Sequence, residues 1–153
     1  DDDLPKFLKT VNCYLVTIGQ IKSPAKRIAL WQIVKKSGAT LPVIVSPHAH
    51  VAKSSSIGEG TIIMHQAIVN SEARIGVNCI VNSNALIEHE TSIGDFCHIS
   101  TGAIVNGQTK IGNRCFIGSN ATISNNVCIV DDAIISAGSI VLKDITTPGI
   151  NIV

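Results

Sequence analysis

From Val45 onward the chain repeats every six residues. The series Val45, Val51, Ile57, Ile63, Val69, Ile75, Val81, Ile87, Ile93, Ile99, Val105, Ile111, Ile117, Ile123, Ile129, Ile135 and Val141 holds only Ile or Val at all 17 positions. An amphipathic α-helix returns its apolar face every 3.6 residues and a half-buried strand alternates every two, so neither explains a period of six. Four residues after each of these positions stands Ala, Ser, Thr or Cys in 15 of 17 cases, the exceptions being Val127 and Ile145. One branched and one small residue per six is what a narrow triangular coil needs: the branched side chain fills the interior and the small one sits where walls converge. Three hexads make a coil of 18 residues, and that longer period is visible in Gly58, Gly76, Gly94 and Gly112, and in Cys79, Cys97 and Cys115. The glycines read as a recurrent tight corner. The cysteines read as a column of small buried residues, each about 4.8 Å above the last. The repeat predicts a parallel β-helix of between five and six coils, in which each coil depends on its neighbours for hydrogen bonds and interior contacts. Periodicity leaves its handedness open.

Composition agrees. Apolar residues make up 45% of the chain but aromatics only 3%, so Ile, Val and Ala fill the core in thin layers. A net charge of +1 offers no basic stripe for nucleic acid and no polybasic membrane patch. No apolar run approaches the ~18 residues of a membrane span and no leader-like start is present, so a soluble, cytoplasmic chain is predicted. The five cysteines (Cys13, Cys79, Cys97, Cys115 and Cys128) form no CxxC, and their odd number predicts reduced thiols rather than a disulfide framework or a zinc knuckle.

Ahead of the repeat, residues 11–18 read as a buried strand. Ser23-Pro24 reads as an N-cap and first helical position, Ala25 to Lys36 as a helix with Ile28, Leu30, Trp31, Ile33 and Val34 on its apolar side, and Gly38 as its stop. Leu41 to Val45 reads as a strand feeding the first coil. This strand–helix–strand unit belongs to a parallel α/β sheet. The predicted organisation is a partial α/β segment over 1–44, the β-helix over 45–146 and the start of a tail over 147–153. Two strands and one helix leave a sheet face bare, so further N-terminal chain is expected.

Five histidines are candidates for chemistry. His48 and His50, at the entrance to the repeat, read as surface or capping residues, and His65 as an outward surface residue. His89 stands apart, in Ile87-Glu88-His89-Glu90. A carboxylate holding one ring nitrogen fixes the tautomer, raises basicity and leaves the other nitrogen free as a base. Neighbouring residues on a strand face opposite ways, so Glu90 can reach the ring only at a corner. His98, nine residues on, lies half a coil away and can approach His89 only across a subunit boundary or through a ligand. A zinc site of the γ-carbonic-anhydrase kind needs a close pair of histidines that His65, His89 and His98 do not supply, so no metal is expected.

Asn82-Ser83-Asn84-Ala85-Leu86-Ile87-Glu88-His89-Glu90, Ile93-Gly94-Asp95-Phe96-Cys97-His98-Ile99-Ser100 and Gly102-Ala103 resemble the sugar acetyltransferases of the sialic-acid O-acetyltransferase type. The UDP-bacillosamine and GDP-perosamine N-acetyltransferases belong to the same group. The resemblance runs from about Asn12 to Ile145. It implies a left-handed β-helix, a homotrimer, and acetyl-CoA in a groove between neighbouring helices, with a nucleotide sugar as the small-molecule partner. By resemblance His89 is the catalytic base and Glu90 the carboxylate that raises its basicity. His98 lies at the acetyl-CoA thioester, Gly107 turns its N–H to the thioester carbonyl, and Ser119 and Ala137 line the pantetheine path. Asn82 and Glu88 lie near the acceptor sugar, and Gly19 ends a strand of the nucleotide-sugar domain. The family's N-terminal glycine-rich turn and its Gly-x-Pro-Ala-Lys close are not found here.

The activity implied is direct transfer from acetyl-CoA to a sugar, with the 4-amino group of a nucleotide-linked amino sugar as leading acceptor and a sialic-acid-type hydroxyl as the alternative. The cysteines point inward and offer no covalent nucleophile. A regulatory β-helix without catalysis is the reading from another class, and coenzyme A binding separates the two.

Overall fold

The computed structural model describes residues 10–151, so the first nine residues of the 1–44 segment and the last two of the tail lie outside the described residues. Three parallel sheets form the walls of a β-helix of about six coils. The first wall carries Ile44–Val45, Ile62–Ile63, Ile80–Val81, His98–Ile99, Phe116–Ile117, Ala133–Ile135 and Gly149–Asn151. The second carries His50–Val51, Ile68–Val69, Leu86–Ile87, Ile104–Val105, Thr122–Ile123 and Ile140–Val141. The third carries Ser56–Ile57, Arg74–Ile75, Ser92–Ile93, Lys110–Ile111 and Cys128–Ile129. Strands pair with their counterparts one coil away, as His98 with Phe116 and Ile99 with Ile117. Among the described residues no helix is long and apolar enough to cross a membrane.

The branched column is buried from Ile63 to Val141, with the small column around it. The first coil is the exception: Val45 is 43% exposed because no coil lies beneath it. The chain turns by placing every sixth residue, from Gly60 through Glu90 and Phe96 to Gly138, at positive φ. This left-handed residue costs a non-glycine side chain about 1 kcal/mol and recurs at every corner between those two.

That corrects the reading of the glycine column. Gly58, Gly76, Gly94 and Gly112 are not the positive-φ residues. They are glycines because the next coil lies against them. A β-carbon at Gly94 would stand 2.8 Å from the Gly112 carbonyl carbon and 2.7 Å from Asn113 Oδ1. The space is taken by a ladder of side-chain caps: Asp95 Oδ1 accepts from Val77 N at 2.9 Å, and Asn113 Oδ1 from Asp95 N at 2.9 Å.

The cysteine column is buried as expected, and it also bonds. Cys97 Sγ–H donates to Gly112 O at 3.0 Å, and the sulfur accepts from Cys115 N at 3.4 Å. Thr61 does the same at the foot of the column, donating to Gly76 O at 2.8 Å and accepting from Cys79 N at 2.9 Å. Neighbouring thiols and burial push the Cys97 thiol well above its ordinary pKa.

Ile145 breaks the small-residue rule because the register slips. Val141 pairs with Ile123, 18 residues back, whereas Ile145 pairs with Ile129, 16 back. The shortened corner moves Ile145 onto the wall, where it is buried. Gly149–Asn151 then rejoins the first wall.

The segment before the repeat differs from the predicted buried strand. Residues 11–18 make one parallel bridge, Cys13 with Thr40, and only Val16 among them is buried. With two extended stretches and no third among the described residues, the ladder stops at Tyr14 N to Thr40 O and Thr40 N to Asn12 O. The helix, α1, spans Ala25–Lys36 with Pro24 as its cap residue, one position later than predicted, and Ser23 Oγ accepts from Ala25 N. Gly38 ends it at φ 79°. Val34 is buried as predicted, but Ile33 is exposed, and the most deeply buried residue of α1 is Arg27. Helix α1 docks on one column of corner residues. Leu41 O accepts from Gly60 N, Arg27 bonds Asn78, and Trp31 meets the Phe96 ring edge-on at 5.4 Å.

Cys97→Ala is expected to cost about 1–3 kcal/mol, because the Cys115 N–H and Gly112 carbonyl lose their partner. Cys97→Thr should be close to neutral, since Thr61 makes the same two bonds. Denaturant unfolding of both variants checks this; equal losses would sink the hydrogen-bonding account.

Candidate functional site

The corner between the second and third walls carries Glu88, His89 and Glu90. Glu90 takes the left-handed position at φ 58°, which brings its carboxylate back toward its neighbour. His89 Nδ1 lies 3.0 Å from Glu90 Oε2, and Gln108, one coil further on, donates to the same oxygen at 3.1 Å. A carboxylate accepts only, so the neutral ring carries its hydrogen on Nδ1 and its lone pair on Nε2. That nitrogen lies over Gly107: a β-carbon there would stand 2.6 Å from Nε2. Gly107 is a glycine because the ring occupies the space of its side chain. Among the described residues none accepts a hydrogen bond from Gly107 N–H. Glu88 is held differently, its Oε2 accepting from Asn70 Nδ2 at 2.9 Å and from His89 N at 3.3 Å. The His89 and Gln108 hydrogen bonds hold the Glu90 carboxyl below its ordinary range.

His98 opens its strand on the first wall and faces outward, yet the N-terminal segment buries it. Its Nδ1 lies 2.9 Å from Gln20 O and its Nε2 3.2 Å from Asn82 Nδ2, with Phe116 edge-on at 5.3 Å. Burial pushes its pKa below the ordinary histidine value, which favours the neutral ring. It forms one side of an open cleft of about 770 Å³ with Gly19, Gln20, Lys22, Ser23 and Lys26. Ser119 and Ala137 stand one coil apart at the corner between the first and second walls, which also holds Asn82. Ser119 Oγ bonds Ser100 Oγ at 2.9 Å, and Ala137 is exposed.

The chain therefore gathers the candidate residues into two groups. His89, Glu90, Glu88 and Gly107 lie on one edge of the second wall; Asn82, Ser119 and Ala137 lie on the other, with His98 and Gly19 beyond them at the cleft. One chain does not bring the groups together. Sequence reasoning missed Asn70, Gln108, Gln20 and Arg27. Asn70 and Gln108 were accessible, since each stands 18 residues from a named partner, Glu88 and Glu90. Gln20 and Arg27 had no such signal.

The repeat and the coil are those of hexapeptide-repeat proteins, and the solved structures similar to the chain include acetyltransferases. The bacterial transferase hexapeptide (six repeats) family matches residues 90–125, and the hexapeptide repeat of succinyl-transferase matches residues 108–143. The chain is similar to a perosamine N-acetyltransferase from Caulobacter crescentus, with one histidine replaced by asparagine, in complex with CoA and GDP-perosamine. The two are 27% identical with a TM-score of 0.90, over 99% of this chain and 72% of that one. It is also similar to the acetyltransferase domain of PglB from Neisseria gonorrhoeae FA1090, in complex with acetyl coenzyme A. There the identity is 30% and the TM-score 0.79, over 82% of this chain and 61% of that one. WeeI from Acinetobacter baumannii AYE, 22% identical over 92% of this chain and 69% of that one, shares the fold with a TM-score of 0.83. No curated protein sequence matches the chain significantly.

The Glu90 carboxyl is expected to titrate below ordinary glutamates in a carbon-detected NMR titration. With its folded pKa depressed, the His89 contact is complete above the ordinary carboxylate range and is lost as pH falls through the lowered value. Gln108→Ala should move the midpoint up; an unmoved midpoint would count against the stacked arrangement.

Proposed function

We propose that this protein transfers the acetyl group of acetyl-CoA to a nucleotide-linked amino sugar, at its 4-amino group, by direct attack with His89 as general base. The carrying observation is the corner geometry. His89 is held through Nδ1 by Glu90, and its Nε2 projects over a glycine whose N–H has no acceptor among the described residues. Such a ring accepts the proton of an attacking amine while an adjacent N–H stabilises the oxyanion of the tetrahedral intermediate. The amine nitrogen bonds to the carbonyl carbon, the C–S bond breaks, and His89 returns its proton to the leaving thiolate. Similarity to structures with CoA, acetyl-CoA and GDP-perosamine bound supports the substrate class.

The remaining assignments belong to this proposal. His98 stands at the thioester, Ser119 and Ala137 line the pantetheine path, and Asn82 and Glu88 serve the sugar. Residues 1–44, with Gly19 at the cleft, form part of the nucleotide-sugar domain, and 45–146 the acetyltransferase domain. The two edges of the second wall are joined by the next subunit of a homotrimer. The second wall presents Ile68, Leu86, Ile104 and Ile140 outward along with His50 and Thr122, whereas the third presents Ser56, Arg74, Ser92, Lys110 and Cys128. An apolar wall of this length is what a subunit interface covers. Five free cysteines suit a cytoplasmic setting in glycan biosynthesis.

His89→Ala should lower kcat by roughly 10²–10⁴-fold, the scale of a general base, and leave acetyl-CoA affinity nearly unchanged. Glu90→Gln should cost less, and His98→Ala should raise KM for acetyl-CoA. Thiol release, screened over UDP- and GDP-linked amino sugars, sialic acid and CMP-sialic acid, measures all three; wild-type-like turnover in His89→Ala removes the base assignment. Light scattering at micromolar concentration should give three times the monomer mass, and a monomer would remove the shared site.

A further inference from the structure

We propose that Gln20 is a positioning residue: with Ser83 N–H at the other end of one hydrogen-bond chain, it holds His98 and the Asn82 amide in a single arrangement, so that Asn82 donates a hydrogen bond to an oxygen of the acceptor sugar. This rests on the reading of Asn82 as a sugar-side residue and goes beyond it by giving the contact a direction and an origin outside the β-helix.

The direction follows from the two ends of one hydrogen-bond chain. At one end Gln20 O, a backbone carbonyl, can only accept, so the hydrogen 2.9 Å away belongs to His98 Nδ1. At the other end Ser83 N, a backbone amide, can only donate, and it reaches Asn82 Oδ1 at 2.8 Å. Between them His98 Nε2 must accept and Asn82 Nδ2 must donate, across 3.2 Å. Both backbone ends require the same tautomer and the same amide orientation, so no hydrogen needs to be located. The second Nδ2 hydrogen of Asn82 is left without a partner among the described residues. A ligand oxygen fits there; a ligand donor does not.

Gln20 is built to hold this arrangement. It is 6% exposed, and its side-chain Nε2 donates to Phe96 O at 2.8 Å. Side chain and carbonyl thus grip the first-wall chain two residues apart, on either side of Cys97. Turning the amide over would set two oxygens face to face. Behind it, Arg27 donates from Nη1 to Ile18 O at 2.6 Å and from Nη2 to the carbonyl and side chain of Asn78. Residues 18–20 are therefore fixed by the same corner column that docks α1.

The test uses the full chain with ¹⁵N-labelled histidine. In the wild type, His98 is expected as the Nδ1–H tautomer near neutral pH; an Nε2–H ring overturns the proposal. Asn82→Asp leaves the α1 junction untouched and sets a carboxylate against Nε2, so His98 should become protonated at neutral pH. A ring that stays neutral there also overturns it. Gln20→Met should scramble the tautomer and raise KM for the sugar about tenfold, the scale of one hydrogen bond, with a smaller change in kcat. Trp31→Phe loosens the same junction without touching Gln20 and should leave the tautomer intact. Equal scrambling in the two variants, or none in Gln20→Met, refutes the positioning role. If the wild type releases no thiol with any acceptor, the acetyltransferase reading fails, while the tautomer result still decides the relay.

Discussion

Most strands of this β-helix are two residues long, and none can satisfy its own backbone. The N–H of His98 reaches Cys115 O, the N–H of Ile80 reaches Cys97 O, and so on around every wall. Each coil is thus a template for the next, and whatever happens at one height is repeated about 4.8 Å away. This condition demands the fixed coil length, and the fixed length forces like residues into columns. The glycine column leaves room for the Asx caps of the neighbouring coil. The cysteine column goes further than filling space, since thiol and threonine hydroxyl alike bond backbone groups at a corner the ladder does not reach.

The same lattice makes the corners the places where chemistry can be built. A wall residue is either interior or part of a flat outward face, but a left-handed corner residue bends its side chain back over its neighbour. Glu90 uses that bend to hold His89, and Gln108 and Gly107 are supplied by the coil above at the height of Glu90 and His89. A cost of about 1 kcal/mol for a left-handed glutamate is offset by the regular hydrogen bonds on either side of it. Phe96 takes the same backbone conformation for a different purpose, turning its ring out to meet Trp31 and its carbonyl out to meet Gln20.

The N-terminal segment is tied to the coil by polar groups as well as by the Trp31–Phe96 contact. Arg27 is fully buried with no carboxylate partner among the described residues, and its charge is carried by backbone carbonyls and the Asn78 side chain. Burial lowers its pKa only from a very high starting point, so the guanidinium stays charged at physiological pH. A buried charge held this way tolerates few alternative geometries, since moving α1 would leave it unpaired. The rigidity matters because His98, on the outside of the first wall, is covered by what this segment lays across it.

The six-residue series by itself determined the coil, its walls and its interior, because every strand must match one 18 residues away and a single repeated pattern satisfies all of them. It also determined which side chains stack, so Asn70 under Glu88 and Gln108 over Glu90 were readable from spacing alone. The Glu-His-Glu triplet identified the corner, and the resemblance supplied the roles. The reason for the glycine column was not readable, since a tight turn and a close approach call for the same residue. The register slip near Ile145 and the single bridge at Cys13 depend on contacts that no local pattern encodes. Only the tertiary structure decided that His98 is buried, that Gln20 sets its tautomer and that Arg27 lies at the junction. Those contacts join residues that share no repeat, and their partners are fixed by where the segment before the coil comes to rest, not by any spacing along the chain.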